Sequence, residues 1–292
     1  MTRNVLFISM LGEREHFKPE LFESLCPSGL ERDWVVEWHG PVAAQSDLQM
    51  TGVDICRGDA LPAVDEVASV VLGGTMHVVT EDRKWLHELR VWLQAYKVTG
   101  RPLLAICGGH QMLASQFGKG ILTGRAEGTL AGTYEVQLTD SGVAHPLFRG
   151  MPAKPRFHFA NYLHVIPSAD QEAGVLAVQR NSPAISLDHG GNWFSCQFHP
   201  ESRKESWDIY YDALETDYVS AYTTHHHGQQ LLKNFFELSS SLWKDWSAPL
   251  RQRRSRNGGD LSIGQQMLTF LDVCRWHKPA NLGWSPGRPL RL

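Results

Sequence analysis

The sequence has few cysteines, and their spacing excludes two common roles. Five cysteines are present, and no two of them form a C-x-x-C pair. An odd number without such pairs argues against a disulfide framework and against a zinc knuckle. A reducing cytoplasm is therefore the expected setting.

Long apolar runs and a strong net charge are also missing. No stretch approaches the roughly 20 apolar residues of a membrane-spanning helix, and the apolar run from Val5 to Ile8 is too short for a signal peptide. The formal net charge of −3 offers no general attraction to nucleic acid or to an anionic membrane. The phosphate-binding G-x-x-x-x-G-K-[ST] motif is absent. We therefore expect a soluble protein with no nucleic-acid partner, no membrane partner and no ATP activation in this chain.

Short apolar runs alternate with helix-period segments through the first 125 residues, a pattern typical of βαβ units around a mostly parallel sheet. The predicted strands are Val5 to Ser9, Val35 to Trp38, Val70 to Leu72 and Leu103 to Ile106. Apolar residues at helical spacing predict an amphipathic crossover helix between the last two strands. These residues are Trp85, Leu89, Trp92, Leu93 and Tyr96.

The second half of the chain reads as shorter strands separated by glycine, proline and asparagine turns. The predicted strands are Tyr134 to Leu138, Val175 to Val178, Ala184 to Leu187 and Trp193 to Phe198. We expect them to be added, partly antiparallel strands on the same sheet, followed by a final helix from Gln229 to Leu242. The simplest partition is one α/β domain over residues 1–245 and a basic extension over residues 246–292.

A strand, a tight turn and a helix-forming segment meet at Cys107. The two glycines that follow it allow a strained turn that lifts the side chain clear of the sheet. The helix directs its positive N-terminal end at the sulfur, which favours the thiolate, and its amides can bind an oxyanion. An isolated cysteine at a strand end is ordinarily a small buried hydrophobe. The paired glycines favour a nucleophile instead.

A thiol nucleophile needs a base, and the segment after the last predicted strand supplies one. His199 can take the thiol proton, while Glu201 fixes the imidazole tautomer and supports its charge. Because only one residue separates them, both side chains can converge from one turn. We therefore predict a catalytic triad of Cys107, His199 and Glu201.

These two segments resemble the signatures of class I glutamine amidotransferases. The first runs from Cys107 to Gln111 as Cys-Gly-Gly-His-Gln, and the second is the Gln-Phe-His-Pro-Glu block that ends at Glu201. The strand and glycine turn from Val70 to Thr75 resembles a third family feature, and the likeness extends over about residues 1–240. The resemblance implies a flavodoxin-like α/β fold and attack of Cys107 on a γ-carboxamide. A γ-glutamyl thioester and ammonia would form, and water would then release glutamate.

The same resemblance implies roles for further residues. The backbone N–H groups of Gly74 and Gly108 would form an oxyanion hole, and Gln111 and the segment around Asn161 would contact the substrate. In that segment, Phe159 and Ala160 stand where many family members carry polar and glycine residues. The substrate therefore remains open between glutamine and a related γ-glutamyl amide.

Three segments lie outside this pattern. Residues 205–222 look like an insertion that forms a lid, a partner-docking element or an extra surface helix. The run of three histidines at 225–227 is expected to be a solvated loop, because adjacent histidines do not easily converge on one metal ion. The basic run at 251–256 precedes a helix-period segment at 263–274, which either docks on a partner or packs back on the domain.

Three functions fit these residues. The first is a glutaminase that delivers ammonia to a separate synthase, because the chain carries no second catalytic domain. The second is a stand-alone γ-glutamyl amide hydrolase, and the third is a catalytically silent regulatory subunit. The joint presence of the triad and the paired glycines argues for an enzyme. Neither a cofactor nor a metal is expected.

Overall fold

The computed structural model describes residues 3–247, and the predicted features of the tail at 251–256 and 263–274 lie outside them. Within that part, the strands are β1 Asn4–Ser9, β2 Gln49–Asp54, β3 Ser69–Leu72, β4 Leu103–Ile106, β5 Ile121–Gly124, β6 Leu130–Glu135, β7 Gln137–Leu138, β8 Arg156–Asn161, β9 Leu163–Ile166, β10 Val175–Gln179, β11 Ser182–Asp188 and β12 Trp193–Cys196. The α-helices are α1 Glu31–Ala44, α2 Lys84–Val98, α3 Gly108–Met112, α4 Asp140–Ala144, α5 Ala169–Glu172, α6 Lys204–Ala213 and α7 Gly228–Ser247. None of these helices is long and apolar enough to cross a membrane.

Eight strands form the central sheet in the order β2-β1-β3-β4-β12-β11-β10-β7. The first five are parallel neighbours, and β11, β10 and β7 are joined to them by antiparallel pairing. The parallel part has the 2-1-3-4-5 order of flavodoxin-like folds. The predicted fold class is thereby confirmed. The carboxyl ends of β3, β4 and β12 meet at one edge of the sheet.

Both faces of the central sheet are covered. Along β3, Val71 packs into one apolar cluster, whereas Val70 and Leu72 pack into the other. Leu89 of α2 belongs to the second cluster, and Phe235 of α7 belongs to the first. Burial on both faces explains why the parallel strands read as continuous apolar runs rather than alternating patterns.

The predicted strand from Val35 to Trp38 is wrong, because these residues lie in α1. Buried Trp34, Val35 and Val42 place one face of that helix in the core. The strand that pairs with β1 is β2, which the prediction missed because Gly52 interrupts its apolar pattern. A Cβ at Gly52 would lie 2.8 Å from the carbonyl oxygen of Arg32, so the close approach of α1 to β2 requires glycine.

The expectation that every added strand joins the same sheet is wrong in part. The predicted strand from Tyr134 to Leu138 is divided between β6, which pairs with β8 outside the central sheet, and β7, which pairs with β10 inside it. A second small sheet pairs β5 with β9. Neither β8 nor β9 was predicted, because the segment from 156 to 166 carries buried histidines and an asparagine among its apolar residues.

Candidate active site

Cys107 occupies a sharp turn between β4 and α3. Its backbone has φ 48° and ψ −105°, a conformation that residues with side chains rarely adopt. Its N–H donates to the carbonyl oxygen of Cys196 at 2.8 Å, and its own carbonyl accepts from the N–H of Gln111 at 2.9 Å. A Cβ at Gly108 would lie 2.4 Å from Cγ2 of Thr75, so the next position has no room for a side chain. The turn therefore has the geometry of a nucleophile elbow.

The structure brings His199 and Glu201 to the same edge of the sheet as Cys107. His199 Nδ1 donates to Glu201 Oε1 at 2.7 Å, and both side chains are buried. A Cβ at Gly74 would lie 3.0 Å from Cε1 of His199 and 3.3 Å from Cβ of Cys107, so the imidazole and the cysteine flank the same glycine. Within the described residues, His199 Nε2 has no hydrogen-bond partner, so it is available to exchange a proton beside the cysteine. This is the arrangement that a thiol nucleophile, its base and an orienting carboxylate require.

The electrostatic setting of His199 favours its charged form. Burial alone would lower the pKa of the imidazole, but the negative charge of Glu201 and the interactions with Cys107 outweigh it. The pKa of His199 therefore lies well above its ordinary value. An imidazolium can protonate a leaving amine, and it stabilises the thiolate beside it.

The glycine turn after β3 faces the elbow. Gly73 is fixed by two backbone bonds, one to Ile8 O at 2.9 Å and one from Gly109 N at 3.3 Å. Within residues 3–247, the N–H groups of Gly74 and Gly108 have no acceptor. They are thus free to bind an oxygen atom beside Cys107.

Gln111 and Asn161 meet at one backbone oxygen beside the nucleophile. Gln111 Nε2 lies 3.4 Å and Asn161 Nδ2 lies 2.9 Å from the carbonyl oxygen of Leu163. Both side chains are buried, and Asn161 Oδ1 has no partner among the described residues. Gln111 is therefore not a helix-surface glutamine. The carbonyl oxygen of Ala160 lies 4.0 Å from Cys107 Sγ, so this strand contacts the sulfur atom.

Residues 205–222 pack against the site through aromatic side chains. The Trp207 ring meets the His199 ring edge-on, with centroids 5.0 Å apart, and it stacks on Tyr222 at 5.1 Å. Trp207 Nε1 donates to Ser202 Oγ at 2.8 Å, and the hydroxyl of Tyr222 donates to Phe159 O at 2.6 Å. The segment therefore forms one side of the site. The sequence placed these aromatic residues near the site, but it did not predict which of them contact His199 and Phe159.

The expectation of a solvated loop at 225–227 is wrong for two of its three histidines. His226 stacks on His158 with ring centroids 3.9 Å apart, and burial lowers the pKa of His226 to about 3. His227 Nδ1 accepts a hydrogen bond from the N–H of Arg156 at 3.0 Å. These rings support strand β8 rather than project into solvent.

One group of residues within the described ranges has the spacing of metal ligands, namely Glu13, His16 and His77. The Glu13 carboxylate already accepts from Arg83 at 2.7 Å and from Trp85 at 2.8 Å. His77 Nε2 accepts from the N–H of Glu13 at 3.2 Å. Because these atoms are engaged, the group fits an ion-pair network better than a metal site.

A buried carboxyl group near the triad was not predicted. Glu31, at the start of α1, accepts a hydrogen bond from Ser9 Oγ at 2.6 Å. Burial, reinforced by the nearby charge of Glu201, raises the pKa of Glu31 to about 8. The side chain is therefore largely protonated at neutral pH, and its sequence context as an acidic first-turn residue gave no sign of this.

Replacing Glu31 with Gln is expected to stabilise the protein at pH 8 but not at pH 5. The pKa of Glu31 in the folded state exceeds its ordinary value of 4.5. The contribution of the protonated carboxyl to stability is therefore complete only below pH 4.5, and it is lost as the pH rises toward 8. Glutamine stays neutral, and we expect a gain of about 2 kcal/mol at pH 8. The test is the free energy of unfolding of the variant and of the wild type, measured with urea at both pH values. An equal change in stability at the two pH values, or the same change on replacing the exposed Glu23 with Gln, would contradict the assignment.

The family model described as "Glutamine amidotransferase class-I" matches residues 60–215, more than half of the 292-residue chain. The glutamine-hydrolyzing GMP synthase of Aeropyrum pernix is 34% identical over 146 residues, covering 50% of this chain but only 26% of that relative. The HisH subunit of imidazole glycerol phosphate synthase from Photobacterium profundum is 26% identical over 180 residues, covering 54% of this chain and 74% of that relative.

Solved structures support the same fold. A glutamine amidotransferase from Thermotoga maritima matches with a TM-score of 0.63 at 18% identity, covering 82% of this chain and 99% of that one. The sequence match includes β3 with the glycine turn that follows it, the elbow at Cys107 and the block that ends at Glu201. The chain therefore belongs to the class-I glutamine amidotransferase family.

Proposed function

We propose that the protein is a cysteine-dependent hydrolase of γ-glutamyl amides, with glutamine as the first candidate substrate. The observation that carries this proposal is the meeting of a strained cysteine, a histidine–carboxylate pair and two free backbone N–H groups at one sheet edge. This combination is suited to acyl transfer through a covalent intermediate.

In the first half of the reaction, the Cys107 thiolate attacks the γ-carbonyl carbon and forms a carbon–sulfur bond. The N–H groups of Gly74 and Gly108 bind the resulting oxyanion, and each donor contributes about 3 kcal/mol. His199 gives its proton to the amide nitrogen, the carbon–nitrogen bond breaks and ammonia leaves. Glu201 keeps the imidazole oriented and supports its charge throughout.

Water completes the second half of the reaction. His199 accepts a proton as water attacks the thioester carbon, and the same two N–H groups bind the second oxyanion. The carbon–sulfur bond then breaks, glutamate leaves and the Cys107 thiolate is restored. The net reaction converts glutamine and water into glutamate and ammonia. Gln111 and the Oδ1 atom of Asn161 are the proposed contacts to the amino-acid head of the substrate.

The proposed use of the ammonia is transfer to a separate synthase. The HisH relative supports this, because its name describes one subunit of a synthase rather than a whole enzyme. The sequence itself has no P-loop motif for activating an acceptor. We place the catalytic domain at residues 1–245 and the protein in a reducing cytoplasm, where Cys107 stays a free thiol.

A stand-alone γ-glutamyl amide hydrolase is the second candidate. The observation that favours it is the apolar character of the strand beside the sulfur, where Phe159 and Ala160 replace polar and glycine positions. The Tyr222 hydroxyl donates a hydrogen bond to the carbonyl oxygen of Phe159, so this oxygen is already engaged within the protein.

The test is to incubate the purified protein with glutamine and with N-substituted γ-glutamyl amides. Ammonia or amine release is measured, together with mass spectrometry for an acyl adduct on Cys107. Turnover of glutamine supports the ammonia donor, and turnover of substituted amides alone supports the hydrolase. The absence of both turnover and adduct, with and without candidate synthases, would contradict both candidates and favour a purely regulatory role.

A further inference from the structure

The side-chain amide of Gln197 contacts the reacting sulfur atom. Gln197 follows β12, two residues before His199, and it is 1% exposed. Its Nε2 atom lies 3.5 Å from Cys107 Sγ, within hydrogen-bonding distance for sulfur. Its backbone N–H donates to the carbonyl oxygen of Ile185 at 2.8 Å, so the main chain that carries the amide is anchored in the sheet.

A second amide fixes the orientation of the first. Gln111 Nε2 donates to Gln197 Oε1 at 3.1 Å, and both side chains are buried. Since Nε2 of Gln111 can only donate, it must face the oxygen of Gln197 and not the nitrogen. The nitrogen of Gln197 is therefore directed at the sulfur. A flipped amide would bring two donors together beside Gln111 and would leave Sγ facing an oxygen atom.

We propose that Gln197 is a catalytic residue that stabilises the Cys107 thiolate through an N–H···S hydrogen bond, with Gln111 holding the amide in place. A hydrogen bond to a charged acceptor is stronger than one to a neutral acceptor, so the donor favours the thiolate over the thiol. The inference rests on the proposed function for its role in turnover. The sulfur contact itself does not.

The contact has opposite effects on the two halves of the reaction. Attack moves negative charge from the sulfur to the substrate oxygen, so the hydrogen bond weakens as the thioester forms. When water breaks the carbon–sulfur bond, the charge returns to the sulfur and the hydrogen bond strengthens. Gln197 thus improves the sulfur as a leaving group in deacylation. It neither gains nor loses a proton in either step.

Four titratable groups interact electrostatically with Cys107, so a test variant should leave these four residues unchanged. They are His199, Tyr162, Tyr211 and Cys196, which lie on the segment after β12, the β8–β9 turn, α6 and β12. Leucine at position 197 removes the N–H donor without adding a charge. Gln197→Leu is therefore the variant that isolates the hydrogen bond.

The rate at which iodoacetamide alkylates Cys107, measured from pH 5 to 10, tests the inference without any substrate. Gln197→Leu is expected to be alkylated about tenfold more slowly near pH 6.5, because the thiolate fraction falls. Near pH 10 its rate should equal or exceed that of the wild type, because a less stabilised thiolate is the better nucleophile. Labelling of Cys107 is followed by peptide mass spectrometry.

A structural defect would give a different profile. Gln171 is a similarly buried glutamine that binds Ala114 O away from the sulfur, and Gln171→Leu should leave the alkylation profile unchanged even if it lowers the melting temperature. If Gln197→Leu fails to fold, Gln197→Glu keeps the length and replaces the donor with a carboxylate, and it should slow alkylation at least as much. A profile for a folded Gln197 variant within twofold of wild type at every pH would overturn the inference.

This experiment separates the two proposals. If the wild type shows neither amide turnover nor an acyl adduct, with or without candidate synthases, but the alkylation profile depends on Gln197, the proposed function fails and the sulfur contact stands. If amides are hydrolysed and the profile is independent of Gln197, the function stands and the contact does not.

Discussion

Replacing Cys107 with Ala is expected to lower kcat for amide hydrolysis by about 10⁴-fold or more. The sulfur supplies the only nucleophile in the proposed first step, and its loss also prevents formation of the thioester. Ammonia release, measured on whichever γ-glutamyl amide the wild type turns over, gives the rate. Mass spectrometry should find no acyl adduct on the variant.

The matched control for this variant is Cys56→Ala. Cys56 lies in the 3-10 helix Ile55–Arg57, is partly buried and takes no part in the proposed chemistry. Its replacement should leave kcat within a factor of about 2. Wild-type turnover by Cys107→Ala would remove the covalent mechanism altogether.

Replacing Glu201 with Gln is expected to lower kcat by about 10³- to 10⁴-fold while leaving substrate binding nearly unchanged. The carboxylate accepts a hydrogen bond from Nδ1–H of His199 at 2.7 Å and supports the positive charge of the imidazolium in a buried setting. A neutral amide removes the charge and can present a donor to Nδ1, which favours the wrong tautomer. Steady-state kinetics should therefore show a loss in kcat with little change in KM.

Glu205→Gln serves as the control for that experiment. Glu205 is exposed in the first turn of α6 and has no resolved contact with the triad. Removing its charge should leave both kcat and KM close to the wild-type values. If the two glutamine variants had equal rates, the orienting role of Glu201 would be wrong.

The sequence pointed to the candidate catalytic residues because each of them belongs to a short local pattern. Cys107 follows directly after a buried strand and precedes two glycines, and His199 and Glu201 lie within one turn. The carboxyl ends of parallel strands meet at one edge of a sheet, so predicting the strands was enough to expect these residues to converge. Local spacing and sheet topology therefore account for the outline of the site.

What the sequence did not predict depends on how the segments pack against one another in the folded chain. The amide of Gln197 meets a sulfur 90 positions away, and Trp207 meets the ring of His199 through a segment that has no fixed relation to the motif. The carboxyl of Glu31 is buried within reach of the charge of Glu201, and it lies at the start of α1, part of which was predicted to be a strand. Burial of a polar group by tertiary packing leaves no periodicity that a single sequence can reveal.

The error at α1 has a specific physical origin. Val35 and Val36 suggest a strand by composition, but buried Trp34, Val35 and Val42 lie on one helical face. The actual strand, β2, contains Gly52 where the backbone of Arg32 approaches, so its composition argues against a strand. Tertiary packing decided both assignments.

At Cys107, the side chain that the proposed reaction needs is attached to a backbone conformation that disfavours side chains. A φ of 48° with ψ −105° disfavours any residue with a side chain, and glycine alone adopts it without strain. Cys107→Gly should therefore be more stable than Cys107→Ala by about 1–2 kcal/mol in thermal unfolding, although both are inactive. Selection for folding alone would favour glycine at this position. A side chain there is consistent with selection for reactivity, maintained against the conformational preference of the chain.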